Sequence, residues 1–282
     1  MPLVSILNEL KKSQANNYAI PCFDTVEALG TQGIFSALEK KRSPGYIGIW
    51  SGILDRPNWR SLVNYVCAMA EDATVPVSLI LDHGQSFEHC IKALSAGFTD
   101  VMFDGSKLPL DENIANTRMV VRAAHAVGAG AEAELGQVGS GHNYQSFGAK
   151  RVGFTDPDVV EKFVEETGVD FLAIAIGSAH GVYQGEPSLD LELLAEIRKR
   201  IDIPLVLHGG SGLSDEQFRS AVAGGISKIN IFTNLATEST KRLLENAKAE
   251  NASYFSMTNQ IREAFQYECE HLIDVFGSTN KA

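Results

Sequence analysis

The chain has 282 residues, 44% of them hydrophobic and 21% charged, with a formal net charge of −11. That is ample apolar material for a sizeable core. The acidic balance argues against a general nucleic-acid binder, which needs a basic face to neutralise phosphates, but a small anionic substrate can still find a locally positive site. No apolar run approaches the roughly eighteen residues of a membrane span, so no membrane partner is expected.

In chain order, the first fourteen residues, MPLVSILNELKKSQ, read as a short amphipathic helix and not as a signal peptide. Short apolar runs bounded by Gly, Pro or Asp follow at Tyr18–Phe23, Tyr46–Trp50, Val77–Leu81, Val101–Phe103, Gly130–Glu134, Phe171–Ala175, Leu205–Leu207 and Lys228–Ile231. Helical periodicity fills the intervals at Gly33–Lys41, Trp59–Glu71, Phe87–Ser95, Glu112–Val127, Asp158–Thr167, Leu191–Arg200 and Glu216–Ala223. Ser214 to Gln217 fits a capping box, and Pro157 suits a first helical turn.

Strands apolar on both faces, alternating with helices, predict a parallel sheet covered by helices. Eight such units in this length predict a (β/α)8 TIM barrel. A doubly wound open sheet is the rival, weakened by the lack of a GxGxxG turn after the first strand. No linker or low-complexity segment appears, so residues 1–282 are read as a single domain. The stretch Leu235–Phe276 holds two helical patterns split near Asn251–Ser256, one helix more than a barrel requires. The four cysteines, Cys22, Cys67, Cys90 and Cys269, form no CxxC pair and predict free thiols in a reducing cytoplasm.

Three of the seven histidines are delivered alike. VPVSLILDHG ends on His83, DFLAIAIGSAHG on His180 and IPLVLHGG on His208, each followed directly by Gly. In a barrel the C-terminal strand ends share one rim, where active sites are built. Three imidazoles converging there make a zinc site with an open coordination position. The bland alternative is a histidine that merely caps its strand. That reading serves for His89, His125 and His271, which sit in helical patterns.

Acids crowd the same rim. Asp82, Asp104 and Glu134 could orient a ligand, hold a second metal or carry a proton. The plain alternatives are a helix N-cap for Asp104 and a solvated pair for Glu132 and Glu134. The HGGSG turn and the KINIFTN segment occupy the two loops where barrels commonly bind phosphate, with Ser211 and Thr233 as hydroxyl donors.

The motifs LDHG, MFDGS, EAELG, GSAHG, LHGGSG and KIN, in this order, together resemble the zinc-dependent class II aldolases, which include the fructose-bisphosphate and tagatose-bisphosphate enzymes. The resemblance implies reversible cleavage of a ketose phosphate, with a 1,6-bisphosphate as one option, to dihydroxyacetone phosphate and an aldehyde. It implies zinc on His83, His180 and His208, and a second or alternative divalent position at Asp104 and Glu134. Asp82 then serves as acid/base on the C4 hydroxyl, and Asn230 steadies the enediolate. The substrate-holding region comprises Gly181, Gly209, Gly210, Ser211 and Thr233, extended to Ser51, Asn230, Ile231 and Phe232. A monovalent cation near the phosphate and a cytoplasmic homodimer or homotetramer complete the expectation.

Four departures accompany the resemblance. The loop from Gly136 to Gly148 lacks the carboxylate usual in the family, which leaves His142 as the candidate base for the carbon-bound proton, with Tyr144 second. Asp24 stands where an Asn is common and is expected to repel phosphate. Phe232 replaces a residue that is often Asp or Ala. No segment matches the arginine that can grip a second phosphate. An epimerase or isomerase, and a catalytically silent aldolase-like subunit, are the alternative functions.

Overall fold

A computed structural model describes residues 3–141 and 151–282. After a short helix α1 (Leu7–Ala15), eight parallel strands close into a barrel. They are β1 (Ile20–Asp24), β2 (Gly45–Trp50), β3 (Val77–Gly84), β4 (Asp100–Phe103), β5 (Gly130–Leu135), β7 (Phe171–Ile174), β9 (Leu205–Leu207) and β10 (Ile226–Ile231), which pairs back onto β1. Two short strands, β6 (Gly139–Ser140) and β8 (Ala179–His180), pair in parallel above the rim.

The expected helices are present as α2 (Ala28–Lys41), α4 (Trp59–Glu71), α5 (Phe87–Leu94), α6 (Leu110–Ala126), α7 (Pro157–Thr167), α8 (Leu191–Arg200) and α9 (Asp215–Ala223), with a single turn α3 (Ser51–Leu54) before α4. The C-terminal pair is α10 (Thr233–Asn246) and α11 (Tyr254–Val275), split where the sequence predicts. Ser214 and Gln217 form the expected capping box, and Pro157 opens α7.

Two boundaries differ for visible reasons. Helix α2 begins five residues earlier than its periodicity shows, because the Glu27 carboxylate accepts from the Leu29 and Gly30 N–H groups and caps it. Its glycines blur the apolar stripe, yet Gly33 lets α2 lie directly on the backbone of α11, where a Cβ would collide with Arg262. Strand β3 runs three residues past Leu81, through Asp82 and His83 to Gly84, and this extension builds the site.

The main core lies between the outer faces of the strands and the helices. A smaller cluster fills the barrel axis, where Ile6 and Leu10 of the N-terminal segment meet Tyr46, Ile80, Met102, Phe171 and Val206. Below it, Asp100 ties three segments together. It accepts from Ser5 Oγ at 2.6 Å, from Gly130 N at 2.7 Å and from Ser78 Oγ. Burial outweighs these donors and pushes the Asp100 carboxyl up to about 6. A folded-state value above the ordinary 3.8 means that the fold holds this proton more tightly than the unfolded chain. Stability therefore falls as pH rises from about 4 to about 6. Asp100→Asn should flatten that part of a stability–pH curve. Asp100→Ala, which strands three donors, should cost about 3 kcal/mol in denaturant unfolding.

Candidate metal centre and active site

The rim is organised by a break in β3. In a regular strand Asp82 and His83 would face opposite sides. Here the pairing with β4 shifts register between Leu81 and Gly84, and His83 adopts a left-handed φ of 49°. A histidine pays strain for that conformation, a pattern common where a site over-determines the backbone. The break lets both side chains line one cavity of about 610 Å³.

His83, His180 and His208 converge there. Their ring centroids lie 4.8, 4.7 and 6.0 Å apart, and one nitrogen from each falls within 4.8 Å of the others. His83 Nε2 and His180 Nε2 oppose each other at 3.1 Å. The remaining nitrogens are engaged: His83 Nδ1–H donates to Asp104 Oδ2 at 2.9 Å, and His208 Nε2–H to Glu132 Oε1 at 2.6 Å. The His180 ring bonds the Gly139 backbone, which explains the small β6–β8 pair. Rings fixed on one nitrogen and open on the other have the arrangement of metal-ligating histidines.

The electrostatics agree. Burial, aided by the charge of His83, lowers His180 to about 4 and holds His208 well below the ordinary imidazole range, which keeps both imidazoles neutral as ligands must be. Burial opposes charge on His83 too, but Asp82, Asp104 and Glu134 outweigh it and raise that ring to about 10. Positive charge is thus stabilised where the rings meet. Burial pushes Asp82 up, but the charge of His83, with that of Lys228 behind it, outweighs it and holds the carboxyl below the ordinary range. His83, Asp104 and Glu134 form a second convergent set. Burial lifts Glu134 to about 8, and its Oε2 has no hydrogen-bond partner among the described residues. An orphaned buried oxygen 3.6 Å from His83 Nδ1 suits a second cation position. The donors of both sets fit a divalent ion such as zinc.

Two plain alternatives are corrected. Glu132 and Glu134 are not a solvated pair; both are buried, Glu132 completely. Asp104 does not cap a helix, since α6 begins after Pro109; its Oδ1 accepts instead from the backbone and hydroxyl of Ser106.

Beneath the histidines lies a residue given no role from sequence. Lys228 is fully buried and donates to Glu132 Oε2 at 2.8 Å and to Asn230 Oδ1 at 2.6 Å. An ammonium can only donate, so it fixes the Asn230 amide with Oδ1 inward and Nδ2 outward. Nδ2 then donates to Asp82 Oδ1 at 2.8 Å. The signal was available: a lysine inside the apolar run ISKINI must be paired when the strand is covered on both faces.

The glycine turn after β9 presents Gly209 and Ser211 to the cavity, beside Thr233 at the start of α10. Gly209 has φ 66°, and any side chain there would collide with the Ala179 backbone. Ser211 Oγ accepts from Asn234 N at 3.2 Å, which joins the two loops. Gly181, Asn230, Ile231 and Phe232 also line the cavity. Ser51 and Gly210 do not line the cavity; the Ser51 hydroxyl is buried without a partner among the described residues. His142 and Tyr144 lie outside the described residues. Asp24 lines the cavity, but burial and then Asp82 push its carboxyl well up, which undercuts the charge repulsion expected of it. His89, His125 and His271 each pair with a carboxylate away from the site.

Comparison with known proteins follows the same line. The family model described as fructose-bisphosphate aldolase class-II matches residues 4–281. The fructose-bisphosphate aldolase of Geobacillus stearothermophilus is 40% identical over 288 residues, covering all of this chain and 99% of that one. That of Staphylococcus aureus strain N315 is 36% identical over 287 residues, covering both chains fully. The crystal structure of the YdjI aldolase from Escherichia coli K12 superposes with a TM-score of 0.89 at 34% identity, covering 99% of each chain. The closed barrel, the convergent histidines and these likenesses agree: the chain belongs to the class II fructose-bisphosphate aldolase family.

Proposed function

We propose that this aldolase is zinc-dependent and cleaves a ketose phosphate, with a 1,6-bisphosphate as one option, reversibly to dihydroxyacetone phosphate and an aldehyde. The observation that carries the reading is the placement of Asp82 beside three convergent imidazoles, in a cavity whose other wall is the Gly209–Ser211 and Thr233 pair of loops. His83, His180 and His208 would hold the catalytic ion, with Asp104 and Glu134 as a second or alternative divalent position. A divalent cation at the first position supplies Lewis acidity that draws charge from the ketone, so no Schiff-base lysine is required.

The protein's own groups supply the rest. Backbone N–H groups around Gly209 and the hydroxyls of Ser211 and Thr233 seat the phosphate, aided by the N-terminal end of α10. The Asp82 carboxylate, kept ionised by the positive charge at His83 and Lys228, accepts the C4 hydroxyl proton as the C3–C4 bond breaks and returns it on condensation. Asn230, its amide fixed by Lys228, holds Asp82 in line. His142 remains the candidate for moving the carbon-bound proton of dihydroxyacetone phosphate. The same reading has a single-domain protein working in the cytoplasm as a homodimer or homotetramer, with a monovalent cation near the phosphate. The free cysteines are in keeping with that compartment, and no helix among the described residues is long and apolar enough to cross a membrane.

Metal analysis after zinc loading tests the ligands. His208→Ala should lose stoichiometric zinc, and Glu132→Gln should weaken zinc affinity by about 10- to 100-fold, the usual scale for an outer partner of a ligating histidine. Equal, full zinc in the wild type and His208→Ala would refute the site. Asp82→Asn should retain zinc yet lose cleavage by roughly a hundredfold or more. Near-normal turnover in that variant would assign Asp82 a structural role. Release of two fragments from the ketose phosphate separates this activity from epimerisation.

A further inference from the structure

Beside Asp82, at the ends of β1 and β2, the cavity is walled by residues whose chemistry the reaction has not yet used. In the β2–β3 register Trp50 is the direct partner of Asp82. It ends β2, lines the cavity and leaves 44% of its surface exposed, an unusual state for an indole. Its ring is seated by Gly52: a Cβ there would overlap the six-membered ring. On the adjacent strand Asp24 lies over Gly48 in the same manner, and a Cβ at Gly48 would overlap its carboxyl. Two glycines of one segment therefore make room for an aromatic face and a carboxyl beside the acid/base.

The charge of the lining matters as much. Four carboxyl residues, Asp24, Asp82, Asp104 and Glu134, face the cavity, and among the described lining residues Lys107 is the only lysine or arginine. Lys107 follows β4, on the far side of Asp82 from Trp50. A phosphate beyond C4 on the Trp50 side would find no lysine or arginine among the described lining residues there, and an indole face that is itself electron-rich. A polyhydroxylated carbon chain meets complementary groups: its C–H bonds lie against the ring, and its hydroxyls reach Asp24.

We propose that Trp50 and Asp24 form the aldehyde subsite and select an uncharged polyhydroxy aldehyde, so that the substrate is a ketose carrying its phosphate at C1 only. This rests on the aldolase reading given above. It concerns the part of the cavity lined from the ends of β1 and β2.

The test uses the full-length zinc-loaded protein with dihydroxyacetone phosphate and two aldehydes, glyceraldehyde and glyceraldehyde 3-phosphate. Solvent proton exchange into dihydroxyacetone phosphate, which needs no aldehyde, is followed alongside. The wild type should show kcat/KM at least about tenfold higher for glyceraldehyde than for its phosphate, and Trp50→Ala should raise KM for glyceraldehyde about tenfold, more than it lowers kcat. Trp50→Phe should restore most of the loss. Gly52→Ala, which displaces the ring without removing it, should reproduce part of it. Preference of the wild type for glyceraldehyde 3-phosphate overturns the subsite, as does an unchanged KM in both Trp50→Ala and Gly52→Ala. Loss of the phosphorylated reaction alone in Lys107→Ala, with that reaction dominant in the wild type, would assign the distal contact to Lys107 instead. Absence of exchange in the zinc-loaded wild type would strike at the aldolase reading itself, whereas exchange with the wrong aldehyde preference strikes only at the subsite.

Discussion

Charge balance at one end of the barrel is the constraint on which the rest depends. Asp82, Asp104, Glu132 and Glu134 surround three imidazoles, and all of these acids but Asp104 are buried. Burying so many carboxylates is costly unless positive charge sits among them. Lys228 supplies one such charge from below, and the raised basicity of His83 marks where a second is stabilised. The break in β3, the left-handed backbone of His83 and the β6–β8 pair all serve to bring donors to that point. A metal-binding reading explains these local irregularities together; separate strand-capping roles for the three histidines do not.

The same network links the metal position to proton transfer. Glu132 touches both His208 and Lys228, Lys228 fixes Asn230, and Asn230 holds Asp82. The group that would orient a metal ligand is therefore one hydrogen-bonded step from the chain that would orient the proposed acid/base. Buried polar networks of this kind are stabilising only when every member is satisfied. Loss of Lys228 would leave Glu132 Oε2 unpaired and Asn230 free to turn its amide, which would couple metal affinity to catalysis without touching either the ion or the substrate.

Much of this was legible in the sequence because it was repeated. Eight apolar runs separated by helical periods specify the barrel, and the thrice-used strand–His–Gly pattern specifies the site. What was not legible depends on side-chain direction. Glu132 and Glu134 look alike in an alternating AEAE run, and only barrel closure shows that Glu132 faces the axis under His208 while Glu134 opens to the cavity. Asp82 and His83 are neighbours whose shared orientation arises from a backbone break that no periodicity predicts. Asp24 was read by its charge, whereas burial beside Asp82 favours its neutral form. Trp50 read as the apolar end of a strand, because its exposure is set by the glycine two residues later.

The central claim is that three histidines seat the ion on which aldol cleavage depends. X-ray absorption at the zinc edge of the reconstituted enzyme, recorded with and without dihydroxyacetone phosphate, tests it most directly. The account predicts a first shell with three imidazole nitrogens and light oxygen donors, whose oxygen contribution changes when dihydroxyacetone phosphate is added. A shell containing sulfur, fewer than three imidazoles, or a spectrum indifferent to the ligand would contradict it.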